Sequence, residues 1–380
     1  MHGFLDDVLT STERDYLERA RAFGREVLAG KADAMEAGES VVPMMKAAVG
    51  YDLLRLETPT SHGGLGHRFL VKLAVLEALS RVDMAFAFAM TNTQNVAPRL
   101  LASGQEEHVD AIMRGEIFAA SALSEPGAGS DFAGIRTRAT KTDGGWLING
   151  EKGWITNATI ADLFVTYAQT DPNAGWRGIG CFLVDARAPG FTRMPAYDIF
   201  GGTAIGAGGF KLDNYFVADA NVIAGPVDAF KLAMQGVNGA RTYVAGMCAG
   251  MLADALAKAI RYGETRETFG KKLTAHQGLA WSLADISTDL EALRALTRRA
   301  GLLIDQNGDV VMAAAQAKKF AGRVTLAGIG AAIQAMGAAG LRREYGLGRH
   351  LAAAKIAAYT DGSTEIMQDR IAAGMVKAYG

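Results

Sequence analysis

The spacing of the apolar residues changes twice along this chain of 380 residues, and this change limits the fold more than any other feature. Up to residue 116, apolar side chains recur at helical intervals, and Thr10 and Glu13 form a capping-box pattern before the first run. Between residues 117 and 225, short runs rich in β-branched and aromatic residues alternate with turn residues. Helical spacing then returns. This order predicts helices, then a sheet, then helices again.

We therefore predict an α+β protein of several domains: an N-terminal α-helical domain (1–116), a middle antiparallel β domain (117–225) and a C-terminal four-helix bundle (226–380). The turn signal Asp143-Gly144 predicts a hairpin in the middle domain. The other expected elements are helices at 42–54, 69–80 and 106–113, hairpin strands at 135–141 and 146–150, and further strands at 163–167, 178–184 and 209–212.

The charge balance and the cysteine count exclude several classes of protein. With 39 basic and 40 acidic residues, the net charge of −1 gives no electrostatic footprint for nucleic acid or an anionic membrane. Only Cys181 and Cys248 are present, so we expect a reducing compartment rather than a disulfide framework. Residues 1–7 carry acids where a signal or transit peptide would carry bases, which favours the cytoplasm.

One uncharged segment, at residues 324–341, approaches the length of a membrane span. It contains Thr325, Gln334 and several glycines, and its alanines contribute little transfer energy. We interpret it as a closely packed bundle helix followed by a glycine-rich turn.

Two strings in the middle domain combine the residue types of a ligand-binding loop. The first is Ser-Ala-Leu-Ser-Glu-Pro-Gly-Ala-Gly-Ser-Asp at 121–131, and the second is Glu-Lys-Gly-Trp-Ile-Thr-Asn at 151–157. Glycines let backbone N–H groups approach a phosphate, and Ser124 and Ser130 offer hydroxyl donors. From the residues alone, the strings predict a cofactor-binding sheet of unknown ligand, and an ordinary turn is the alternative.

These strings are followed by Arg-Glu-Thr-Phe-Gly-Lys at 266–271 and by His276-Gln277. The four motifs, in this order over nearly the whole chain, resemble the acyl-CoA dehydrogenase family of flavoproteins. The resemblance implies an FAD cofactor between the β domain and the bundle, an electron-transferring flavoprotein as acceptor, and a homo-oligomer, either a dimer or a tetramer made of two dimers. It implies no metal, nucleic acid or membrane partner.

The resemblance also implies which residues bind the flavin. Leu123 and Ser124 match residues that touch the ring, and Ser130 matches one near the pyrophosphate and the pantetheine arm of the substrate. Trp154, Ile155 and Thr156 match the segment that flanks the ring, with the Thr156 hydroxyl directed at N5, where a donor stabilises the reduced flavin. A core aromatic on a strand is the alternative for Trp154. Further cofactor-binding residues implied in this chain are Gly129, Ser363 and Glu365.

A second set matches residues that the neighbouring subunit contributes to the cofactor. Arg266 and Phe269 match residues at the pyrophosphate and adenosine region, where a guanidinium offers paired donors and a permanent charge. Gln277, Gln334 and Gly337 complete this shared site, so flavin binding would require at least a dimer. The segment at 200–209 is richer in glycine and less polar than in the family, which puts any family contact there in doubt.

The C-terminal signature of the family, an aromatic residue followed by Glu-Gly-Thr, aligns with Thr-Asp-Gly-Ser at 360–363. The resemblance makes Asp361 the base that removes the α proton, and the other family location for a base is occupied by Ala240. The shorter arm of aspartate matters, because an error on the order of 1 Å can cost about a hundredfold in rate. The alternative for Asp361 is a turn residue in an Asp-Gly pair. Asn238 and Arg241 match substrate-binding positions near the acyl-thioester arm, and Arg241 could instead be a structural ion partner.

Three functions remain open at this point. The leading one is an acyl-CoA dehydrogenase-like flavin oxidoreductase that converts an acyl thioester of coenzyme A, or of an acyl carrier protein, to the trans-2-enoyl product, in fatty-acid or secondary metabolism. The second is a flavin oxidase of a small carbon acid, since nitroalkane oxidase of the same superfamily uses an aspartate base. The third is a non-catalytic subunit, motivated by the loss of the usual glutamate and by the altered segment at 200–209.

Overall fold

The N-terminal region is helical, as the spacing of its apolar residues predicts. The computed structural model describes residue 5 and residues 8–380. The acids at residues 6 and 7 lie outside the described residues, and the expectation of no signal peptide rests partly on them. The Thr10 hydroxyl accepts from the Glu13 N–H, and the Glu13 carboxylate accepts from the Thr10 N–H, so the capping box is confirmed. The helices are α1 (Ser11–Phe23), α2 (Ala32–Glu36), α3 (Val42–Val49), α4 (Phe69–Ser80), α5 (Met84–Gln94), α6 (Ala97–Ala102) and α7 (Glu106–Met113).

Two differences from the predicted helices have local causes. Helix α3 ends at Val49, not at residue 54, because Gly50 follows it and Asp52 adopts a left-handed φ of 61°. Helix α5 has no polar face, since its Met-Ala-Phe-Ala-Phe-Ala-Met start is buried on every side. A helix that is apolar all round shows no amphipathic stripe, so periodicity alone does not predict it.

The middle region is a sheet in which the strand order is β6-β7-β3-β2-β4-β5-β8, with β1 beside β4. The predicted hairpin is confirmed as β2 paired with β3, and β3 continues to Ile155 through two irregularities. Most pairs are antiparallel, but the sheet is mixed rather than purely antiparallel as predicted, because β1 and β2 both run parallel to β4. The strands are β1 (Ala119–Ala122), β2 (Arg138–Thr142), β3 (Gly145–Ile155), β4 (Leu163–Gln169), β5 (Ile179–Asp185), β6 (Phe191–Arg193), β7 (Gly208–Ala218) and β8 (Val222–Ala224).

The C-terminal region is the predicted helical bundle. Helix α10 contacts each of the other four helices, and α8 also packs against α4 of the N-terminal region. Helix α9 ends at Asp305, and Asn307 then takes a left-handed φ of 53° ahead of Gly308. The elements are α8 (Asp228–Thr265), β9 (Glu267–Thr268), β10 (Lys271–Lys272), α9 (Gln277–Asp305), α10 (Val311–Met336), α11 (Leu347–Tyr359) and α12 (Thr364–Tyr379).

Two helical segments are long and apolar enough to cross a membrane by length and composition, namely Asp228–Thr265 and Val311–Leu341. The apolar window of the first is 83% buried inside the protein, and the second packs against the other bundle helices. Residues 324–341 form the end of α10 and a 3₁₀ turn from Gly337, which agrees with the predicted helix and glycine-rich turn.

The unusual segment at 200–209 joins the three regions. The Gly202 N–H donates to the Glu36 carboxylate of α2, and the carbonyl of Ile205 accepts from the Asn157 N–H in the sheet region. A Cβ at Gly201 would lie 2.5 Å from Ala352 of α11, so glycine is required for this close approach. The segment therefore holds α2, the end of β3 and α11 together.

Candidate active site

A buried ion pair connects the two predicted ligand-binding strings. Lys152 Nζ lies 2.9 Å from Glu125 Oε1 and donates to the Leu123 carbonyl at 3.0 Å. The Glu125 carboxylate also accepts from the N–H groups of Arg136 and Thr137. Burial lowers the pKa of Lys152 to about 8. Burial opposes ionisation of Glu125, but Lys152 and the N–H donors hold the pKa of its carboxyl below its usual value. The pair fixes the first string to the end of β3.

The first string presents an open backbone edge. Gly127 and Gly129 are exposed, and a Cβ at either position would meet no atom within 4 Å. Ser130 is exposed as well, whereas Leu123 and Ser124 are half-buried, and the Ser124 carbonyl accepts from the Gly153 N–H at 3.1 Å. Free glycine backbone beside hydroxyl groups suits an anionic group such as a pyrophosphate.

The second string presents an aromatic ring on a strained backbone. Trp154 has a φ of 59°, its side chain is 61% exposed, and its ring centroid lies 4.5 Å from that of Tyr197. A bulky residue in the left-handed region stores strain, and such outliers cluster at ligand sites. The exposure also excludes the alternative of a core aromatic. Ile155 is 2% exposed in the sheet core and offers only its backbone to a ligand, while Thr156 is half-buried.

Asp361 lies in the short loop between α11 and α12, with a left-handed φ of 55°. The side chain is half-buried, and its Oδ2 atom is shielded from solvent and has no hydrogen-bond partner among the described residues. Burial raises the pKa of Asp361 to about 6, against the opposing charges of Lys318 and Arg241. A shielded, unpaired carboxylate with a pKa near neutrality is the form that a general base requires. A plain turn aspartate would be solvated.

Two buried cations hold the backbone of this loop. Arg241 Nε donates to the Asp361 carbonyl at 3.0 Å, and its Nη1 donates to Asn238 Oδ1 at 2.9 Å. Lys318 Nζ donates to the Gly362 carbonyl at 2.6 Å, and burial lowers the pKa of Lys318 to about 8. Arg241 therefore contacts the backbone of Asp361 directly. The sequence did not predict Lys318 as a site residue. The only sequence feature that could have indicated it is a lysine among the buried alanines of α10.

The residues predicted to serve a neighbouring subunit are exposed. Phe269 is 97% exposed with a φ of 50°, and with Gly270 it forms the two-residue turn between β9 and β10. Gly337 has φ 61° and ψ −147°, a region that favours glycine, with open space around its Cα. The other members of this set, namely Arg266, Gln277 and Gln334, are exposed as well. Of the two cofactor-binding residues predicted at the start of α12, Glu365 is exposed and Ser363 is half-buried. Among the described residues, no hydrogen bond or ion pair joins this set to Asp361 or to 154–156.

The described part of the chain contains no group of three or more His, Cys, Asp or Glu side chains able to hold a metal ion. Cys181 and Cys248 are both buried and unpaired, and burial raises the pKa of the Cys248 thiol to about 11. Neither thiol is a reactive group of the site.

Comparison with known proteins places this chain among flavin oxidoreductases built from a helical, a sheet and a second helical domain. The model of the acyl-CoA dehydrogenase N-terminal domain matches residues 10–115, that of the middle domain 120–215 and that of the C-terminal domain 229–376. The chain belongs to the acyl-CoA dehydrogenase family, and the resemblance seen in the four motifs is confirmed.

Individual relatives cover nearly all of the chain. The short-chain specific acyl-CoA dehydrogenase, mitochondrial, from Homo sapiens is 32% identical over 340 residues, 88% of this chain and 82% of the relative. The butyryl-CoA dehydrogenase structure from Megasphaera elsdenii matches with a TM-score of 0.93 and 28% identity, covering 97% of this chain and 99% of the other. A chain in the solved structure of the electron transferring flavoprotein of Acidaminococcus fermentans matches with a TM-score of 0.93, 27% identity and the same coverage. These likenesses confirm the predicted fold.

Proposed function

We propose that this protein is an FAD-dependent dehydrogenase that converts a short acyl-CoA to the trans-2-enoyl-CoA, with Asp361 as the base. The observation that carries the proposal is the Asp361 carboxyl, whose Oδ2 atom is shielded and unpaired and whose pKa is raised to about 6. Such a group is ionised at neutral pH and still basic enough to take a proton. A short acyl chain is inferred from the relatives named as short-chain and butyryl-CoA dehydrogenases.

Asp361 takes the α proton of the thioester, and the electron pair of that C–H bond forms the new double bond as the β hydrogen leaves with its own pair. Bound FAD would supply the two-electron acceptor for that departing hydrogen. Arg241 and Lys318 act on the base through the backbone, because their hydrogen bonds to the carbonyls of residues 361 and 362 fix the loop. Asn238 lies beside Arg241, at the predicted place of the thioester arm.

The chain offers a set of groups that fits FAD. The uncrowded backbone at Gly127 and Gly129, with the hydroxyls of Ser124 and Ser130, suits the pyrophosphate. The exposed indole of Trp154, held on a left-handed backbone next to Thr156, offers a flat surface and a hydroxyl to the ring. Ser363 and Glu365 remain predicted cofactor-binding residues at the start of α12.

We infer that FAD is bound by at least a dimer. Phe269 is almost wholly exposed at a hairpin tip, which suits a side chain buried by another subunit. The other residues of that exposed set, Arg266, Gln277, Gln334 and Gly337, are predicted to contact the same cofactor. A dimer and a tetramer of two dimers would both supply this contact.

The likeness to a chain of the electron transferring flavoprotein structure supports an acceptor of that type. A cytoplasmic location is inferred as well, in keeping with two buried cysteines that form no disulfide. For the domain bounds, we propose divisions at residues 116/117 and 225/226.

The experiment is an anaerobic visible spectrum of the purified flavin-loaded protein, titrated with butyryl-CoA and other short, branched and cyclic acyl-CoAs. We expect the flavin band to bleach in the wild type and in Asp285→Asn, an exposed control on α9, but not in Asp361→Ala. Bleaching that survives in Asp361→Ala would refute the assignment of the base. If flavin is bound and no acyl-CoA bleaches it, the acyl-CoA proposal fails. The same titration with acyl carrier protein thioesters and with nitroalkanes would then distinguish the two alternative enzyme functions.

A further inference from the structure

A chain of hydrogen bonds runs through the helical region and ends on α8 near Asp361. Glu57 Oε2 lies 2.5 Å from Lys72 Nζ, which also donates to Asn95 Oδ1 at 2.6 Å. Asn95 Nδ2 then donates to the hydroxyl oxygen of Tyr243 at 2.9 Å. Lys72 is 3% exposed and Tyr243 is 2% exposed, so the centre of this chain is inside the protein.

Tyr243 belongs to the surroundings of the base. It shares α8 with Arg241, which donates to the Asp361 carbonyl, and its side chain leaves the helix on a different face, toward Lys72 and Phe88. Burial raises the pKa of Tyr243 well above its usual value, and the carboxylate of Asp361 adds to this effect. The hydroxyl of Tyr243 is therefore neutral and carries its hydrogen at neutral pH.

The hydrogen of this hydroxyl has no acceptor in the described part of the chain. A lysine ammonium is a donor only, so Lys72 fixes the side-chain oxygen of Asn95 toward itself and the amide nitrogen toward Tyr243. Tyr243 must then accept from Asn95, and its own hydrogen is left for another group. The ring of Phe88, 6.3 Å away between centroids, is an apolar neighbour and cannot take it. Buried donors are almost always satisfied by protein or by water, so the acceptor here lies outside the described residues.

The position of Tyr243 along α8 indicates which part of the substrate it meets. Asn238 is predicted to lie near the thioester arm, and Arg241 holds the base that faces the α carbon. With a rise of about 1.5 Å per residue, Tyr243 lies about 7 to 8 Å beyond Asn238 along the helix axis. It contacts the N-terminal helices through Lys72 and Phe88. The acyl end of the substrate is the part that would reach it.

We propose that Tyr243 donates a hydrogen bond to an oxygen on the acyl group, and that the preferred substrate is a thioester whose short acyl chain carries an oxygen substituent. Asn95 and Lys72 orient the hydroxyl, and Glu57 neutralises Lys72. The proposal rests on the proposed function and adds a substrate class to it. A purely hydrocarbon chain would leave the buried donor unsatisfied, and a site built to hydrogen-bond a substrate oxygen rejects the analogue that lacks it.

The test compares two acyl-CoAs of equal size, 4-hydroxybutyryl-CoA and pentanoyl-CoA, in which a hydroxyl replaces a methyl group. Dissociation constants are measured by calorimetry and reaction by anaerobic flavin bleaching, for the wild type and for Tyr243→Phe. We expect the wild type to prefer the hydroxyl-bearing ester by about tenfold or more, and the variant to lose this preference. Tyr16→Phe is the matched control, since Tyr16 is also a buried tyrosine but donates to the carbonyl of Asp52.

A second variant keeps the test decisive if Tyr243→Phe does not fold. Asn95→Asp retains an oxygen for Lys72 but replaces the donor to Tyr243 by an acceptor, which would capture the free hydrogen and remove the same preference. The inference is overturned if the wild type shows no preference for the hydroxyl-bearing ester, or if the folded variants keep that preference. In that case, bleaching of the flavin by pentanoyl-CoA would still support the proposed function. If neither ester binds or bleaches the flavin, the proposed function fails and this inference falls with it.

Discussion

Replacing Asp361 by asparagine should stabilise the protein at neutral pH while it abolishes activity. The pKa of the carboxyl rises from 3.8 to about 6 on folding, chiefly through burial. This difference in pKa corresponds to about 3 kcal/mol, by which the ionised side chain lowers the free energy of unfolding. Asparagine has nearly the same shape and carries no charge, so the cost disappears. The active site would then be a place where stability is sacrificed for a working base.

The sign and pH dependence of this gain follow from proton binding. The folded state holds the proton of Asp361 more tightly than the unfolded state, so the wild type loses stability as the pH rises from about 4 to about 6. The advantage of Asp361→Asn should be about 3 kcal/mol at pH 8 and less than about 1 kcal/mol at pH 4. For 380 residues, the unfolding entropy of about 0.8 kcal/mol/K converts 3 kcal/mol to about 4 °C in melting temperature.

The assay is thermal unfolding of the wild type and Asp361→Asn at pH 4 and pH 8, with equal flavin occupancy and equal protein concentration because bound ligand and assembly also raise the melting temperature. Asp285→Asn is the control for removal of an exposed charge on the same bundle and should change little. A variant that is less stable than the wild type at pH 8, or equally stabilised at both pH values, would refute the reasoning that burial of the charge raises the pKa.

Three further predictions concern other parts of the site. The rate constant kcat/KM should rise with pH through about 6 as Asp361 ionises. Because Lys318 lowers the pKa of Asp361, Lys318→Met should move this rise to higher pH. A rise at the same pH in the initial-rate profiles of both proteins would contradict this. Lys152→Met should cost about 3–5 kcal/mol in denaturant unfolding by leaving Glu125 buried without its partner, and the double variant with Glu125→Gln should recover part of the loss. Phe269→Asp should leave subunit stability within about 0.5 kcal/mol but weaken assembly and flavin retention, measured by sedimentation and visible absorbance; unchanged assembly would argue against the shared site.

Local signals in the sequence predicted much of the fold. Helix α4 and helix α7 have the predicted bounds, and the hairpin β2–β3 turns at Asp143-Gly144, because capping, turn and spacing signals act over a few residues. Helix α5 gave no such signal, since a helix buried on all sides has no polar face. The parallel pairing of β1 with β4 was also not predicted, because it joins strands about 40 residues apart, across the whole hairpin.

The sequence did not predict the roles of side chains whose contacts lie far away along the chain. Lys152 stands in a motif that was recognised, but its pairing with Glu125 depends on the fold of the loop. From the sequence, Lys318 and Tyr243 look like ordinary helix residues. In the folded protein, Lys318 donates to the Gly362 carbonyl and the Tyr243 hydroxyl accepts from Asn95. A polar residue on an otherwise apolar helical face is the only local signal for such positions, and it does not identify the partner.

The backbone around Asp361, the proposed base, offers an explanation of how an aspartate could serve where the family signature has a longer glutamate. The position of the carboxylate depends on the backbone as well as on the side chain. Asp361 adopts a left-handed φ of 55°, and its own carbonyl and that of Gly362 accept hydrogen bonds from buried cations. Those cations belong to α8 and α10, so two helices hold the loop in position. Helix α8 also carries Tyr243, which means that the base and the proposed acyl-end donor are positioned by one element. A substrate oxygen held by Tyr243 would then bring the α carbon to the short carboxylate, and binding of the acyl end would compensate for the missing methylene group.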